Sequence, residues 1–128
     1  MKGVVDTEIK KIDGSFSVCK VVDFSEVDPS DKFNFISATD EENSLICLTE
    51  NVPKNTVNRI DGWRALRIQG VLDFSLIGIL SKILDLLAEA KIGIAAVSTF
   101  NTDYIFVKEA DLDKAVVTLA EANYKIEI

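Results

Sequence analysis

The fold predicted for this chain rests on residues 68–107, IQGVLDFSLIGILSKILDLLAEAKIGIAAVSTFNTDYIFV. This stretch reads as a strand, a tight acidic turn, an amphipathic helix, a strand, a hairpin and a further strand. Ser75 is the predicted helix N-cap, because a short oxygen-bearing side chain can accept hydrogen bonds from the free amides of the first turn. The helix itself is indicated by apolar residues at helical spacing: Leu76, Ile79, Leu80, Ile83, Leu84, Leu87 and Ala88.

The residues around this stretch complete a β-α-β-β-α-β order. Residues 63–69 alternate as a strand, and residues 93–100 and 104–107 form a hairpin with a turn at Asn101-Thr102. Asp111 is predicted to cap a second helix, Asn123 suits its exit, and residues 124–128 alternate as a last strand. Two helices on one face of a four-stranded antiparallel sheet form the ferredoxin-like arrangement, which belongs to the α+β class.

The first half of the chain repeats this order with degenerate helices. Residues 8–12 and 15–22 flank Asp13-Gly14, a hairpin signal, and residues 24–30 have room for only a turn or two of helix. Residues 33–38, 44–49 and 56–60 are predicted strands. The sequence therefore predicts two ferredoxin-like units in tandem, residues 1–61 and 62–128, with the boundary near Asp61-Gly62.

The composition excludes several functions. A net charge of −7, from 21 acidic and 14 basic residues, disfavours partners that carry phosphates, both nucleic acid and anionic membrane surfaces. The absence of histidine excludes Ser-His-Asp and Cys-His catalysis and imidazole zinc sites. Nucleotide-binding loops and metal-ligand spacings are also missing from the sequence. The chain is predicted not to be an enzyme, and no cofactor or metal is predicted.

The thiols are predicted to be buried, and the N-terminus and the apolar stretches predict a cytoplasmic location. Cys19 and Cys47 each lie in an apolar run and are predicted as small buried hydrophobic residues, with a disulfide or a reactive thiol as the alternative. The N-terminal residues show no secretory signal, and the apolar stretches are too short to span a membrane.

Two long segments carry a family resemblance. GWRALRIQGVLDFSLIGIL (residues 62–80) followed by STFNTDYIFVKEADLDKA (residues 98–115) resembles small bacterial proteins with tandem ACT domains. It is also similar to the ACT domains of the eukaryotic cytosolic arginine sensors, the CASTOR proteins. The resemblance extends into the first half through residues 17–20, 36–37 and 44–47. ACT domains are ferredoxin-like regulatory modules that commonly bind amino acids between two such units.

The resemblance implies a ligand site on two loops. The position of Leu76 resembles one that holds a ligand-contacting acidic residue in the arginine sensors, and the leucine here argues against arginine as the ligand. Asp103 matches a family carboxylate near the bound guanidinium, which leaves a cationic ligand open. The implied ligand-binding residues are Asp73, Phe74, Ser75, Leu76, Ile77 and Gly78 at the helix entry, and Thr99, Phe100 and Asp103 at the hairpin.

A physical argument supports the same loops. The free amides at the start of a helix attract a carboxylate, and Asp73 and Asp103 suit an ammonium or a basic side chain. Each residue also has a structural explanation. Ser75 caps the helix, Asp73 compensates the helix dipole, Gly78 admits close packing, and Asp103 closes the hairpin. Core packing is the corresponding explanation for Thr99 and Phe100.

The predicted function is a non-catalytic regulatory or sensor protein. It binds an amino acid or a similar small metabolite at an ACT–ACT interface, in a homodimer. The alternative is a ligand-free ACT-type module that serves oligomerisation or protein interaction.

Overall fold

The computed structural model of the chain describes residues 7–69 and 78–128. The chain divides into two compact units. The N-terminal unit is Gly14–Trp63, and the C-terminal unit consists of the described residues up to Asp13 and within Arg64–Ile128. This division differs from the predicted ranges 1–61 and 62–128, because the described residues 7–13 group with the C-terminal unit.

The N-terminal unit is built on strands. They are β1 (Glu8–Val21), β2 (Asn34–Ala38), β3 (Asn43–Leu48) and β4 (Thr56–Gln69), in the order β2-β3-β1-β4, and a 3-10 helix spans Thr49–Asn51. Strand β3 pairs antiparallel with both β1 and β2, so two of the predicted strands are confirmed. Its core is small and consists of Cys19, Val21, Leu45 and Cys47, with Phe24, Val27 and Val52 packed against them.

The predicted hairpin at Asp13-Gly14 is wrong, because β1 runs through it as one continuous strand. Gly14 does have a positive φ of 102°. A Cβ at this position would lie 2.8 Å from Cδ2 of Leu48. The glycine therefore allows β1 to approach a β3 side chain closely, instead of reversing the chain.

Two further predictions for the first half need correction. Strand β4 runs through Asp61-Gly62, so the strands predicted at 56–60 and 63–69 are one strand, with Gly62 at a φ of 86°. Residues 24–30 form turns and no helix. The Val27 amide donates to the Phe24 carbonyl at 3.2 Å in one of these turns. Pro29 and the shortness of the segment leave no room for a longer ladder.

The C-terminal unit has the predicted helices and strands. They are α1 (Ile79–Glu89), β5 (Ile94–Ser98), β6 (Asp103–Lys108), α2 (Leu112–Glu121) and β7 (Lys125–Glu127), with a 3-10 helix at Glu109–Asp111. Strands β5 and β6 pair antiparallel, from Ile94↔Val107 to Ser98↔Asp103. This is the mixed α and β architecture with two helices that a ferredoxin-like unit requires.

The sheet of this unit departs from the predicted four antiparallel strands. Its strand order is β7-β1-β4-β6-β5, so the first residues of β1 enter as an additional strand. The pairing of β1 with β7 is parallel, from Glu8↔Lys125 to Lys10↔Glu127. Ile9 of this segment is 1% exposed and belongs to the core of the unit. The alternation of residues 8–12 indicated a strand correctly, but it carried no information about the partner of that strand.

The hydrophobic core of the C-terminal unit lies between its sheet and its two helices. Alternation along a strand sends successive side chains to opposite faces. The buried residues of β4 and β6 in this core are Leu66 and Ile68, and Ile105 and Val107, so these side chains mark the helix-facing side of the sheet. From the helices and the connections, the core receives Ile83, Leu87, Ile92, Leu112, Ala115, Leu119 and Tyr124.

The helix ends agree only in part with the sequence. Helix α1 begins at Ile79 with Gly78 as its N-cap residue, at a φ of 94°, whereas the predicted N-cap, Ser75, lies outside the described residues. Asp111 precedes α2 as predicted, although its side chain makes no capping hydrogen bond. Asn123 has a φ of 76° at the exit of α2, as a helix-terminating residue often does. Within residues 7–69 and 78–128, no helix has the length and apolar character needed to cross a bilayer.

Candidate functional site

The turn between β5 and β6 is closed by hydrogen bonds of its own residues. The Thr99 amide donates to the Thr102 carbonyl at 2.8 Å, and the Thr99 hydroxyl donates to the same oxygen at 3.1 Å. The Thr102 hydroxyl donates to the carbonyl of Ile68, which ties the turn to the end of β4. Phe100 at the tip of the turn is fully exposed. The predicted turn at Asn101-Thr102 is thereby confirmed as part of a longer one.

A cleft of about 510 Å³ lies where this turn meets the end of β4. Its volume falls within the range of sites that bind small molecules. The cleft combines one charged side chain, two aromatic ones and several amide and hydroxyl groups. The described residues that line it are Arg67, Ile68, Gln69, Thr99, Phe100, Asn101, Thr102 and Tyr104.

Arg67 is held in place by two neighbours in the cleft. Its Nε donates to Oε1 of Gln69 at 2.6 Å, and its Nη1 donates to the hydroxyl of Tyr104 at 3.2 Å. Its Cζ lies 5.7 Å from the centroid of the Tyr104 ring, within the range of a cation–π contact. Arg67 and Gln69 alternate with Leu66 and Ile68, so they lie on the sheet face turned away from the helices.

The structure separates the predicted hairpin residues. Thr99 and Phe100 line the cleft. Asp103 begins β6 and accepts a hydrogen bond from the hydroxyl of its register partner, Ser98. Asp103 alternates with Tyr104 and therefore lies on the opposite, helix-facing side of the sheet. It is not among the residues that line the cleft.

Of the predicted helix-entry residues, Gly78 is the one that the structure describes. Gly78 is the N-cap of α1 with a φ of 94°. A Cβ there would meet no described heavy atom within 4 Å, and the positive φ by itself accounts for a glycine at this position. Asp73, Phe74, Ser75, Leu76 and Ile77 lie outside the described residues. Their part in a ligand site stays a prediction.

Sequence reasoning missed Arg67, Gln69 and Tyr104 as site residues. A signal was present, because the strand pattern WRALRIQ places Arg67 and Gln69 on the polar side of an otherwise apolar strand. The sequence did not indicate that β6 lies beside β4 and brings the Tyr104 hydroxyl to the guanidinium.

The N-terminal unit has an acidic cleft of about 280 Å³, which includes Glu26, Asp28, Asp31 and Glu50. The hydroxyl and the amide of Ser30 donate to Asp28 at 2.7 and 2.9 Å and lower the pKa of that carboxyl. Asp28 is thus engaged in a local turn. In the part of the chain that the structure describes, no group of acidic and thiol side chains is arranged to hold a metal ion.

The two thiols are buried, as predicted. Cys19 and Cys47 are both free and lie in the core of the N-terminal unit. Burial raises the pKa of both thiols, and that of Cys47 to about 12. The reactive thiolate form is therefore disfavoured at neutral pH.

A buried polar group joins three segments of the N-terminal unit. The Ser17 hydroxyl is fully buried, donates to Oδ1 of Asp61 at 2.5 Å and lies 2.8 Å from the Thr49 hydroxyl. Nε of Arg59 donates to the same Asp61 oxygen at 3.0 Å. The bonds from Ser17 and then Arg59 lower the pKa of Asp61. These side chains satisfy one another and leave Ser17 without access to a substrate.

Comparison with known proteins identifies the family of the chain. The ACT domain profile matches residues 58–121, which span β4, both helices and the hairpin. The crystal structure of protein Atu0741 from Agobacterium tumefaciens is 31% identical with a TM-score of 0.80, and the match covers 94% of this chain and 91% of that one. No functionally curated protein matches the sequence.

Two aspartate kinase structures share the fold at lower identity. The enzyme from Clostridium acetobutylicum is 17% identical with a TM-score of 0.62, over 91% of this chain and 34% of that one. The ligand-free regulatory subunit of aspartate kinase from Thermus thermophilus is 10% identical with a TM-score of 0.56, over 95% of this chain and 97% of that one. At these identities, the similarity extends to the fold alone.

Proposed function

The chain belongs to the ACT domain family, and from this premise we propose that it is a non-catalytic regulatory protein that binds an amino acid or a similar small metabolite. The observation that carries the proposal is the cleft beside the hairpin turn. Thr99 and Phe100, which the family resemblance assigns to the ligand, both line it. A ligand there would act by binding one arrangement of ACT units more tightly than another, which shifts the population toward that arrangement.

The proposal also covers the assembly. The ligand lies between two ACT-type units in a homodimer, and the N-terminal unit is a degenerate second ACT-type unit in tandem with the first. Its support is the strand set of Gly14–Trp63, which repeats part of the ACT order without the helices. We also propose a cytoplasmic location and a relation to the CASTOR proteins. Leu76 argues against arginine as the ligand.

The aspartate kinases support the regulatory part of this proposal. The Clostridium enzyme is described as allosteric, and the Thermus protein is a regulatory subunit. Both contain a stretch of this fold, and in the Thermus protein the stretch makes up nearly the whole chain. A small protein of this fold is therefore well suited to regulation without catalysis.

Isothermal titration of the purified protein with the standard L-amino acids tests the proposal. We expect one of them to bind saturably. Phe100→Ala should weaken this binding by about tenfold, since an aromatic side chain against a ligand contributes on the order of 1 kcal/mol or more. Asp113→Asn, at an exposed position of α2, is the matched surface control.

Two further measurements decide between the proposal and its alternative. Light scattering after gel filtration should return twice the chain mass of 14.1 kDa. A native mass spectrum of the purified protein shows whether it carries a metabolite outside the amino acid panel. A folded dimer that binds nothing in either experiment would contradict ligand binding and support a ligand-free interaction module.

A further inference from the structure

We propose that Arg67 makes the cleft beside the hairpin turn a site for small carboxylates with an apolar or aromatic body, with no requirement for an amino group. The inference rests on the proposed function for its premise that this cleft holds a ligand. It adds the chemical class of that ligand. It also assigns the anionic end of the ligand to the sheet face that lies opposite Asp103.

The charge of the cleft is the first argument. Arg67 is the one charged side chain among its described lining residues, in a chain whose net charge is −7. A guanidinium stays protonated at every physiological pH, so the cleft presents a permanent positive charge. Arginine or lysine as a ligand would meet a like charge there. A carboxylate would be attracted.

The positioning of Arg67 is the second argument. Its contacts with Gln69 and Tyr104 come from its own strand and from the neighbouring one. Both partners accept hydrogen bonds and neither neutralises the charge. A guanidinium has more N–H donors than these two contacts use, and its planar fork matches both oxygens of a carboxylate. Because the side chain is already held, binding costs less conformational entropy than it would for a mobile arginine.

The apolar walls of the cleft are the third argument. The Phe100 side chain is 102% exposed at the tip of the turn, and the Tyr104 ring contributes further apolar surface. An aromatic ring in water gains free energy when another apolar surface covers it. A ligand that places its carboxylate on Arg67 and its apolar body against Phe100 satisfies both groups.

The lining residues also explain why an amino group is not required. None of the described lining side chains is a carboxylate that would pair with an ammonium. The hydroxyls of Thr99 and Thr102, which donate to carbonyls within the hairpin and at the end of β4, could accept from an ammonium only as neutral groups, in a cleft whose one described charge is positive. Removing the ammonium from a ligand should therefore cost little affinity in this cleft.

A matched series of probes tests the inference. The purified protein is titrated with 3-phenylpropanoate, the neutral 3-phenylpropanamide and L-phenylalanine, by calorimetry and by amide chemical shifts. We expect 3-phenylpropanoate to bind, with shifts at residues 67–69 and 99–104. The amide should bind at least about tenfold more weakly, since it loses charge-assisted hydrogen bonds. L-Phenylalanine should bind within a few fold of the propanoate.

Variants of Arg67 complete the test. Arg67→Gln should weaken 3-phenylpropanoate by at least about tenfold, and Arg67→Lys by less, because lysine retains the charge without the planar fork. Lys114→Gln, at an exposed position of α2, changes the net charge equally and should leave binding unchanged. Tyr104→Phe removes only the hydroxyl that positions the guanidinium. It should weaken binding by a few fold, and it provides a test if Arg67→Gln does not fold.

The outcomes separate this inference from the proposed function. Equal binding of the acid and the amide, or unchanged binding in folded Arg67→Gln, overturns the carboxylate assignment, while an amino acid that still binds keeps the proposed function. Binding of the propanoate without L-phenylalanine or any other amino acid supports the carboxylate assignment, refutes the expected tolerance of an amino group and contradicts the amino acid part of that function. If no probe and no amino acid binds and the native mass spectrum shows no metabolite, both are wrong.

Discussion

Replacing Gly14 by alanine should destabilise the protein more than the same change at Gly62. Both glycines have a positive φ, 102° and 86°, which costs any other residue about 1–2 kcal/mol. Only Gly14 has a close neighbour, because a Cβ there would lie 2.8 Å from Cδ2 of Leu48. At Gly62 no described heavy atom lies within 4 Å of the added Cβ. The pair therefore separates the backbone cost from the packing cost.

The packing cost can be bounded. Carbon atoms prefer a separation of about 3.5–4.0 Å, so one of the two side chains must move. Overpacking costs about 1–3 kcal/mol, and the lower end applies here because the end of the Leu48 side chain can rotate. We expect Gly62→Ala to lower the free energy of unfolding by about 1–2 kcal/mol and Gly14→Ala by about 2–4 kcal/mol.

Urea unfolding followed by circular dichroism measures these values, provided that the dependence on urea is unchanged. A double-mutant cycle of Gly14→Ala with Leu48→Ala isolates the contact. The double variant should be more stable than the sum of the single changes predicts, by about 0.5 kcal/mol or more. Equal costs at both glycines, together with additivity in the cycle, would refute the close approach of β1 and β3 and favour a turn at Asp13-Gly14.

Three other predictions concern titration, reactivity and packing. The hydrogen bond from Ser17 holds the pKa of Asp61 low, so the stability from this carboxylate is present above about pH 4 and is lost as the pH falls through its lower folded-state pKa. Asp61→Asn should flatten this part of the stability curve measured by urea unfolding from about pH 6 to 3. Burial raises the pKa of Cys47 to about 12, so a thiol reagent at about pH 8 should label it only as fast as the protein opens, and rapid labelling of the native state would contradict this. Leu119→Ala in the core should cost about 2–5 kcal/mol in thermal or urea unfolding, against less than about 1 kcal/mol for Val117→Ala, which is 53% exposed.

The C-terminal unit could be predicted from its sequence because its signals are local. The apolar spacing of α1 and α2 follows the helical period, and the side chains at that spacing, such as Ile83 and Leu119, are fully buried. The short strand β6 has the aromatic and β-branched residues that strands favour. These patterns extend over one or two helical turns or a few strand residues, so they can be read directly from the sequence.

The two long strands could not be predicted because their glycines carry an ambiguous signal. Asp13-Gly14 and Asp61-Gly62 indicate a positive φ, which both glycines have. A hairpin turn uses this conformation, and so does a strand that must pass close to another side chain. Which of the two occurs is decided by distant residues such as Leu48. The parallel pairing of β1 with β7 could not be predicted for the same reason, since it also depends on residues that are distant in the sequence.

The residues of the candidate site show the same difference between local and long-range signals. Thr99 and Phe100 could be found because they belong to a local turn. Arg67 and Tyr104 are far apart in the chain, and only the adjacency of β4 and β6 brings them into hydrogen-bonding distance. Residue type also directed the prediction to other residues. Carboxylates drew attention as partners for an ammonium, whereas the charge that the described cleft offers is positive.

Because side chains alternate between the two sheet faces along β6, the charge of a bound ligand would indicate which face it occupies. Asp103 and Tyr104 are adjacent in sequence, yet their side chains lie on opposite faces, the first toward the helices and the second toward Arg67. A ligand that uses the Asp103 face and the predicted helix-entry loop should carry a positive group. A ligand that uses the Arg67 face should carry a carboxylate and tolerate the loss of its amino group. Because a shift of one residue in register would exchange the two faces, it would also change the class of ligand that our proposal assigns to the cleft.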